Sequence, residues 1–392
     1  MLESCERIGL TRRGFVTAIA GLVTSSGLLS TALANAEAPS TTASPAAGPI
    51  MSDKGDQHGT QPSSRRIFVE SEFAPLRTVV LAQCQMRLPD VAPGSNAQLN
   101  DEMAILPQEQ QKIILQLLGK DHALAMPERQ QRWEAERDTL ARVFEKHGVE
   151  VLRPRLLTKW EKEAGGKSGY SNSYVRDPWF VVGNAVIEGS LRFPHRRKEV
   201  LPSRDIFKSE VYPAACSYVA VPQPEIMPLD VDNGGPGPFI EGGDVLVYGR
   251  HVFVGNSGRA STPLGVEWLR KLIAPQGYTV ETVRLKPNIL HLDCAMGLVR
   301  EGLFVVYEDG FLDGIPRSLK DWTRIPVTME EAMSLGTNGL PITPDVYVTD
   351  PAFRRIGDAV AKQGVAVEYV EFDISRSFGG AFRCSTQTLW RE

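Results

Sequence analysis

The stretch "ERQQRWEAERDTLARVFEKHGVEVLRP" (residues 128–154) changes period part-way along. Up to Lys146 the apolar residues Trp133, Leu140, Val143 and Phe144 return at spacings that place them on one face of a helix. Gly148 stops that helix, and "VEVLRP" follows with the alternation of a strand. The scheme recurs twice. "GVEWLRKLIAPQG" (265–277) turns Val266, Leu269, Leu272 and Ile273 inward and ends on Gly277 before "YTVETVRL". "PAFRRIGDAVAKQG" (351–364) ends on Gly364 before a run containing "AVEYVEF". Other strand-like runs are "RTVVLAQ" (77–83), "WFVVGNAVIEG" (179–189), "DVLVYGRHVFVGN" (244–256), "LFVVYEDG" (303–310) and "DVYVTD" (345–350). Repeated helix, glycine and strand argue for an α/β protein assembled from similar units, with a spacing too irregular for a solenoid.

The 392 residues are 42% hydrophobic and 23% charged, enough to bury one large core or two ordinary ones. A net charge of -4 supplies no global basic field that would draw nucleic acid or an anionic membrane, so neither partner is expected. At the N-terminus Arg12 and Arg13 precede a charge-free stretch from Gly14 to Ala36 that is diluted by Gly, Ser and Thr and ends in Ala34-Asn35-Ala36. This is the pattern of a cleaved signal of the twin-arginine type over residues 1–36, which predicts a periplasmic or secreted protein with no membrane contact after cleavage. Residues 37–65, rich in Ala, Pro, Ser, Thr and Gly, read as a linker, and residues 66–392 as a single catalytic domain.

Cys5 would leave with the signal. Cys84, Cys216, Cys294 and Cys384 lie far apart with no C-x-x-C pair, so no zinc site is signalled; one disulfide among the first three is left open. Cys384 sits in "SFGGAFRCSTQ" (377–387), on a glycine-rich turn beside Arg383, whose guanidinium is expected to lower the thiol pKa. Three further stretches carry titratable groups at strand ends. Asp177 precedes an apolar run in "YVRDPWFVVGN", and Glu241 and Asp244 bracket two glycines in "FIEGGDVLVYG". His291 and Asp293 stand two apart in "NILHLDCAMG", which as a strand would put both on one polar face. A thiol, an imidazole and several carboxylates are the parts of nucleophilic catalysis, and several acids around one thiolate suit a planar guanidinium cation.

Taken together these stretches resemble the amidinotransferase and arginine deiminase superfamily, the guanidino-modifying enzymes of the pentein fold, with glycine amidinotransferase-type enzymes the nearest pattern. The resemblance runs from Phe68 to the end. It is carried by "SEFAPLRTVVLAQ", "RDPWFVVGNAVIEGSLRFPHRRKE", "PLGVEWLRKLIAP", "LHLD" and "GGAFRCST", in that order. It implies a five-bladed α/β propeller of ββαβ-like modules, with Cys384 as nucleophile, His291 as acid/base, Glu241 orienting it, and Asp177 and Asp293 binding the guanidinium. It also implies no metal and no organic cofactor, a small guanidino substrate, and an amine acceptor if the enzyme is a transferase; a homodimer is left open. "EGGD", "GNSGRAS" and Arg383 are more like the hydrolase branches, where water is the acceptor, while the longer blocks favour amidino transfer. Gly336 in "SLGTNGLPI" stands where a serine would hold an amino acid end, which points to a donor other than free arginine. A guanidinium-binding protein without turnover is the remaining alternative.

Overall fold

Glycine ends each of the three helices that the sequence sets out. They span Pro127–Lys146, Pro263–Ile273 and Arg354–Ala361, and the glycines beyond them, Gly148, Gly277 and Gly364, have φ of 72°, 84° and 83°. Only glycine enters that left-handed region without the penalty of about 1–2 kcal/mol that a Cβ brings. The reversed backbone then delivers the chain into a strand. The computed structural model describes residues 65–392 apart from 96–99, 101–102, 105, 194–195 and 226–236. The expected signal at 1–36 and, but for Arg65, the linker at 37–65 lie outside the described residues.

Five three-stranded sheets share one plan, in which an antiparallel hairpin carries a third strand parallel to its second strand. The first is Trp179–Val182, Ala185–Glu188 and Ser217–Ala220; the second is Val245–Tyr248, His251–Asn256 and Thr279–Arg284. Met296–Arg300, Leu303–Val306 and Thr323–Pro326 form the third, and Leu340–Thr343, Val346–Thr349 and Ala366–Tyr369 the fourth. The fifth joins the two ends of the domain: Thr386–Arg391 pairs antiparallel with Leu76–Leu81, and Leu76–Leu81 pairs parallel with Glu150–Leu152. A helix crosses from second to third strand where the sequence shows one, which is the right condition for a parallel return. In the third sheet short 3-10 turns at Glu308–Gly310 and Arg317–Leu319 take that place. The ββαβ-like modules expected from the resemblance are therefore present, as mixed α/β units.

The helix faces pack as the periodicity requires, with one exception in each of two helices: Val143 and Leu272 are half-buried rather than buried. Leu140 and Phe144 pack with Val79 and Leu81, while Val266, Leu269 and Ile273 pack with Val252 and Val254. The helix Pro127–Lys146 also buries Glu136 and Arg137. Glu136 accepts from the backbone N–H of Ile374 and Ser375 at 2.6 and 3.0 Å, and Arg137 Nη1 donates to Ser375 Oγ at 2.7 Å. This pair fixes the short helix Asp373–Arg376 that leads into the "SFGGAFRC" turn. No helix among the described residues is long and apolar enough to cross a membrane.

Two glycine replacements separate backbone strain from overpacking. A Cβ on Gly277 meets nothing within 4 Å, so Gly277→Ala should lower unfolding stability by about 1–2 kcal/mol, through φ alone. At Gly265 a Cβ would fall 1.8 Å from the carbonyl oxygen of Phe239, so Gly265→Ala should cost about 3 kcal/mol or more. Urea unfolding of both variants measures the difference, and equal losses would contradict the packing described.

Candidate active site

The residue pairs and triplets singled out in the sequence occupy one equivalent place in each module, the turn that enters its first strand. Asp177 precedes Trp179, Glu241 to Asp244 precede Val245, His291 to Asp293 precede Met296, and Cys384 precedes Thr386. The fourth module contributes Thr337 and Asn338, ahead of Leu340. Hydrogen bonds link each turn to the next. Gly242 N donates to Asp177 O at 3.2 Å, and Leu292 N to Asp244 Oδ1 at 2.9 Å. Thr337 Oγ1 donates to Asp293 O at 2.9 Å, and Arg383 N to Asn338 Oδ1 at 3.0 Å. Val175 N and Arg176 N, at 3.1 and 3.2 Å from Cys384 O, return the chain of bonds to its start.

His291 and Asp293 do not lie on a strand as expected. His291 caps a 3-10 turn, Leu292–Cys294, and the two side chains find separate partners. His291 Nε2 is 2.9 Å from Glu241 Oε2, and its Nδ1 is 3.9 Å from Asp177 Oδ1. Asp293 Oδ2 instead accepts from Arg383 Nη1 at 2.9 Å. Gly243 is required by this arrangement, because a Cβ there would stand 2.8 Å from the His291 ring and 2.7 Å from Asp177 Oδ1. Burial works against charge on His291, but Asp177, Glu241 and Asp244 outweigh it and lift the pKa to about 10. At neutral pH the group is an imidazolium. Burial raises the Asp244 pKa to about 7, despite the nearby His291 charge.

Arg383 corrects a second expectation. Its guanidinium is committed to other partners: Nε and Nη2 donate to the two oxygens of Glu72 at 3.1 Å each, Nη1 to Asp293, and Nη2 to Val245 O at 2.6 Å. The Cys384 thiol is accordingly pushed well above its ordinary range, first by burial and then by the charges of Asp293 and Asp177, with Arg383 only a small opposing influence. The four cysteines among the described residues are all free thiols, so none of Cys84, Cys216 and Cys294 is in a disulfide.

Arg196 and Glu199 stand at the end of a block that carries the resemblance, but nothing in the charged run "RRKE" marks either of them as a site residue. Both are buried. Arg196 Nη2 donates to Asp177 Oδ2 at 2.8 Å and to Glu199 Oε2 at 2.9 Å, and Arg196 Nη1 lies 3.6 Å from Glu241. Burial tends to raise the Asp177 pKa, yet His291 and Arg196 hold it below the usual value. Asp177, Glu241 and His291 also bring ligand-type atoms within 4.8 Å of one another. A metal ion there would compete with the His291–Glu241 bond and face the Arg196 cation. Asn338 was likewise missed; its Oδ1 accepts from the backbone N–H of Arg383 and Cys384 at 3.0 and 3.3 Å and fixes the thiol-bearing turn. A cavity of about 110 Å³ opens on this arrangement, with Cys384, His291, Asp177, Arg196 and Glu199 in its wall.

No family model matches the chain. It is 30% identical over 221 residues to the uncharacterized protein YkgA of Bacillus subtilis, which covers 56% of this chain and 69% of that protein. It is 26% identical over 290 residues to inosamine-phosphate amidinotransferase 1 of Streptomyces griseus, covering 66% and 80%. Among solved structures, the amidinotransferase SxtG of Microseira wollei superposes with a TM-score of 0.66 at 19% identity, covering 83% of this chain and 97% of that one. The chain belongs to the amidinotransferase/pentein superfamily. The fold extends within that superfamily to DDAH of Pseudomonas aeruginosa in complex with citrulline, with a TM-score of 0.54, 16% identity and coverage of 80% and 99%.

Removing the cation that joins two of the turns should be felt throughout. Arg383→Met leaves Glu72 and Asp293 buried without their partner and should cost about 3–5 kcal/mol of unfolding stability by urea titration. A loss below about 1 kcal/mol would contradict this role.

Proposed function

We propose that the protein is a guanidino-modifying enzyme with Cys384 as nucleophile, and that it transfers an amidino group to an amine. The observation that carries the reading is the meeting of Cys384, His291 and Asp177, from three different turns, in the wall of one cavity, with the charge of Asp293 also felt at the thiol. In this reading the five modules act as the blades of a propeller around the site. The sequence relatives named as amidinotransferases support the enzyme class.

The chemistry follows from the charges. A guanidinium entering beside Asp177 and Asp293 replaces the net carboxylate field felt by Cys384 with a cation, and the thiol gives up its proton to solvent. The thiolate attacks the guanidinium carbon and forms a neutral tetrahedral adduct. The His291 imidazolium protonates the departing amine, the C–N bond breaks, and an S-amidino-cysteine cation remains. The acceptor amine then adds to that carbon, neutral His291 takes its proton, and collapse releases the thiolate with a new guanidino compound. Glu241 holds the imidazole through Nε2 during both proton transfers.

Water in place of the amine gives the hydrolase reading, represented structurally by DDAH. Two sequence features that favoured it have other causes. Gly243 in "EGGD" makes room for the His291 ring, and Arg383 acts on Asp293 and Glu72 rather than on the acceptor. Both features are therefore compatible with transfer.

Incubation of the full chain with a guanidino donor, with and without a primary amine, should give a new guanidino compound only when the amine is present. Release of a ureido product and ammonia without any amine would overturn the transferase reading in favour of the hydrolase one. The profile of kcat/KM should rise with pH as thiolate forms and level off near pH 10, where each gain in thiolate is matched by loss of imidazolium. Glu241→Gln should lower kcat on the order of 100-fold and move that levelling to lower pH; an unmoved profile would deny Glu241 its influence on His291. We further propose export by the twin-arginine route, in which case replacing Arg12 and Arg13 by lysine should retain the protein in the cytoplasm; unchanged export would refute it.

A further inference from the structure

The cavity over Cys384 has two unlike kinds of lining. Asp177, Arg196, Glu199 and His291, the charged floor, stand with Cys384, and Met86, Leu88, Leu106, Ile114, Leu290 and Phe378 supply an apolar wall. A guanidino compound lying with its carbon against sulfur must send its tail along that wall.

The polar groups on the wall are committed elsewhere. Tyr174 Oη donates to Ser375 O at 2.7 Å, Tyr170 Oη donates to Asp121, and Ser171 Oγ is 2.9 Å from Ser173 Oγ. Besides His291, Arg87 and Arg196 are the cations among the described lining residues. Arg196 is bound to Asp177 and Glu199. Arg87 donates through Nε to Gly119 O at 2.9 Å and through Nη1 to Gly166 O at 3.3 Å. An α-amino acid tail would place a carboxylate and an ammonium among methyl and methylene groups, where Arg87, the wall cation without a carboxylate partner among the described residues, already turns Nε and Nη1 to backbone carbonyls. Desolvating such charges without partners opposes binding, whereas each methylene laid on the wall favours it.

Resting on the guanidino reading above, we propose that the donor is a guanidino compound with an uncharged, apolar tail, an alkylguanidine in the simplest case, and not an α-amino acid. The apolar wall selects the substrate by burying its methylenes, and the charged floor receives only the guanidinium. Gly336, within "SLGTNGLPI", fits this choice: a Cβ there would meet Ile356 Cδ1 at 2.9 Å and Glu331 O at 3.0 Å, so the position is closed by packing and offers no hydroxyl to a substrate.

The test is a donor series on the full chain with one fixed amine acceptor: n-butylguanidine, n-hexylguanidine, agmatine, which is butylguanidine with a terminal ammonium, and arginine. Peptide mass spectrometry of quenched samples reads the Cys384 adduct in parallel with steady-state rates. We expect kcat/KM to rise about fourfold per added methylene, the factor for about 0.8 kcal/mol. Agmatine and arginine should both fall at least about tenfold below butylguanidine. If arginine or agmatine matches or exceeds butylguanidine while Cys384 is still modified, the apolar-tail proposal is overturned and the guanidino reading stands. If no donor modifies Cys384, the guanidino reading falls, and this proposal with it.

Discussion

Burying several carboxylates beside a thiol is the constraint on which the rest of this structure depends. Glu72, Asp177, Glu199, Glu241 and Asp293 are at most 7% exposed, and water cannot solvate them. An unpaired buried charge costs several kcal/mol, so each needs a cation or an N–H in a fixed place. Arg383 serves Glu72 and Asp293, Arg196 serves Asp177 and Glu199, and His291 lies between Asp177 and Glu241. Because these partners come from different modules, the charge pairing and the ring of hydrogen bonds between turns hold each other in register.

The same pairing leaves the site poised. Burial and the charges of Asp293 and Asp177 disfavour a thiolate at Cys384, while Asp177, Glu241 and Asp244 favour an imidazolium at His291. Thiol and imidazole are thus both protonated, and in the proposed reaction the missing element is positive charge near sulfur. A cationic substrate would supply it, so that binding and activation become one event. In that proposal a neutral molecule of the same shape would not generate a thiolate.

The fold was legible where pattern and punctuation agree. Gly148, Gly277 and Gly364 sit after amphipathic helices, and the left-handed backbone they adopt is the physical reason for that placement. The strand Thr386–Arg391 was missed because Thr386, Gln387 and Thr388 look like a solvated segment. They are buried, and Gln387 is satisfied by Arg176, whose Nη1 donates to its Oε1 at 2.8 Å. Ser217–Ala220 and Thr323–Pro326 were missed as well, being short third strands with little apolar alternation. Asp177, Glu241, His291 and Cys384 could be singled out because polar groups interrupt glycine or proline turns next to apolar strands. Arg196, Glu199, Glu72 and Asn338 could not, since burial and pairing are tertiary facts: Arg196 stands in a run of bases, and Arg383, beside Cys384 in sequence, is bound to Glu72 and Asp293.

The central claim is that positive charge completes this site. Thiolate ultraviolet absorption of the full chain, taken as the difference from a Cys384→Ala variant at constant neutral pH, tests it directly when guanidinium chloride is added below denaturing concentrations, with urea as the neutral match in shape. The account predicts no thiolate signal from Cys384 alone, a signal that grows and saturates with guanidinium, and none with urea. A thiolate already present without ligand, or an equal response to urea and guanidinium, would contradict it.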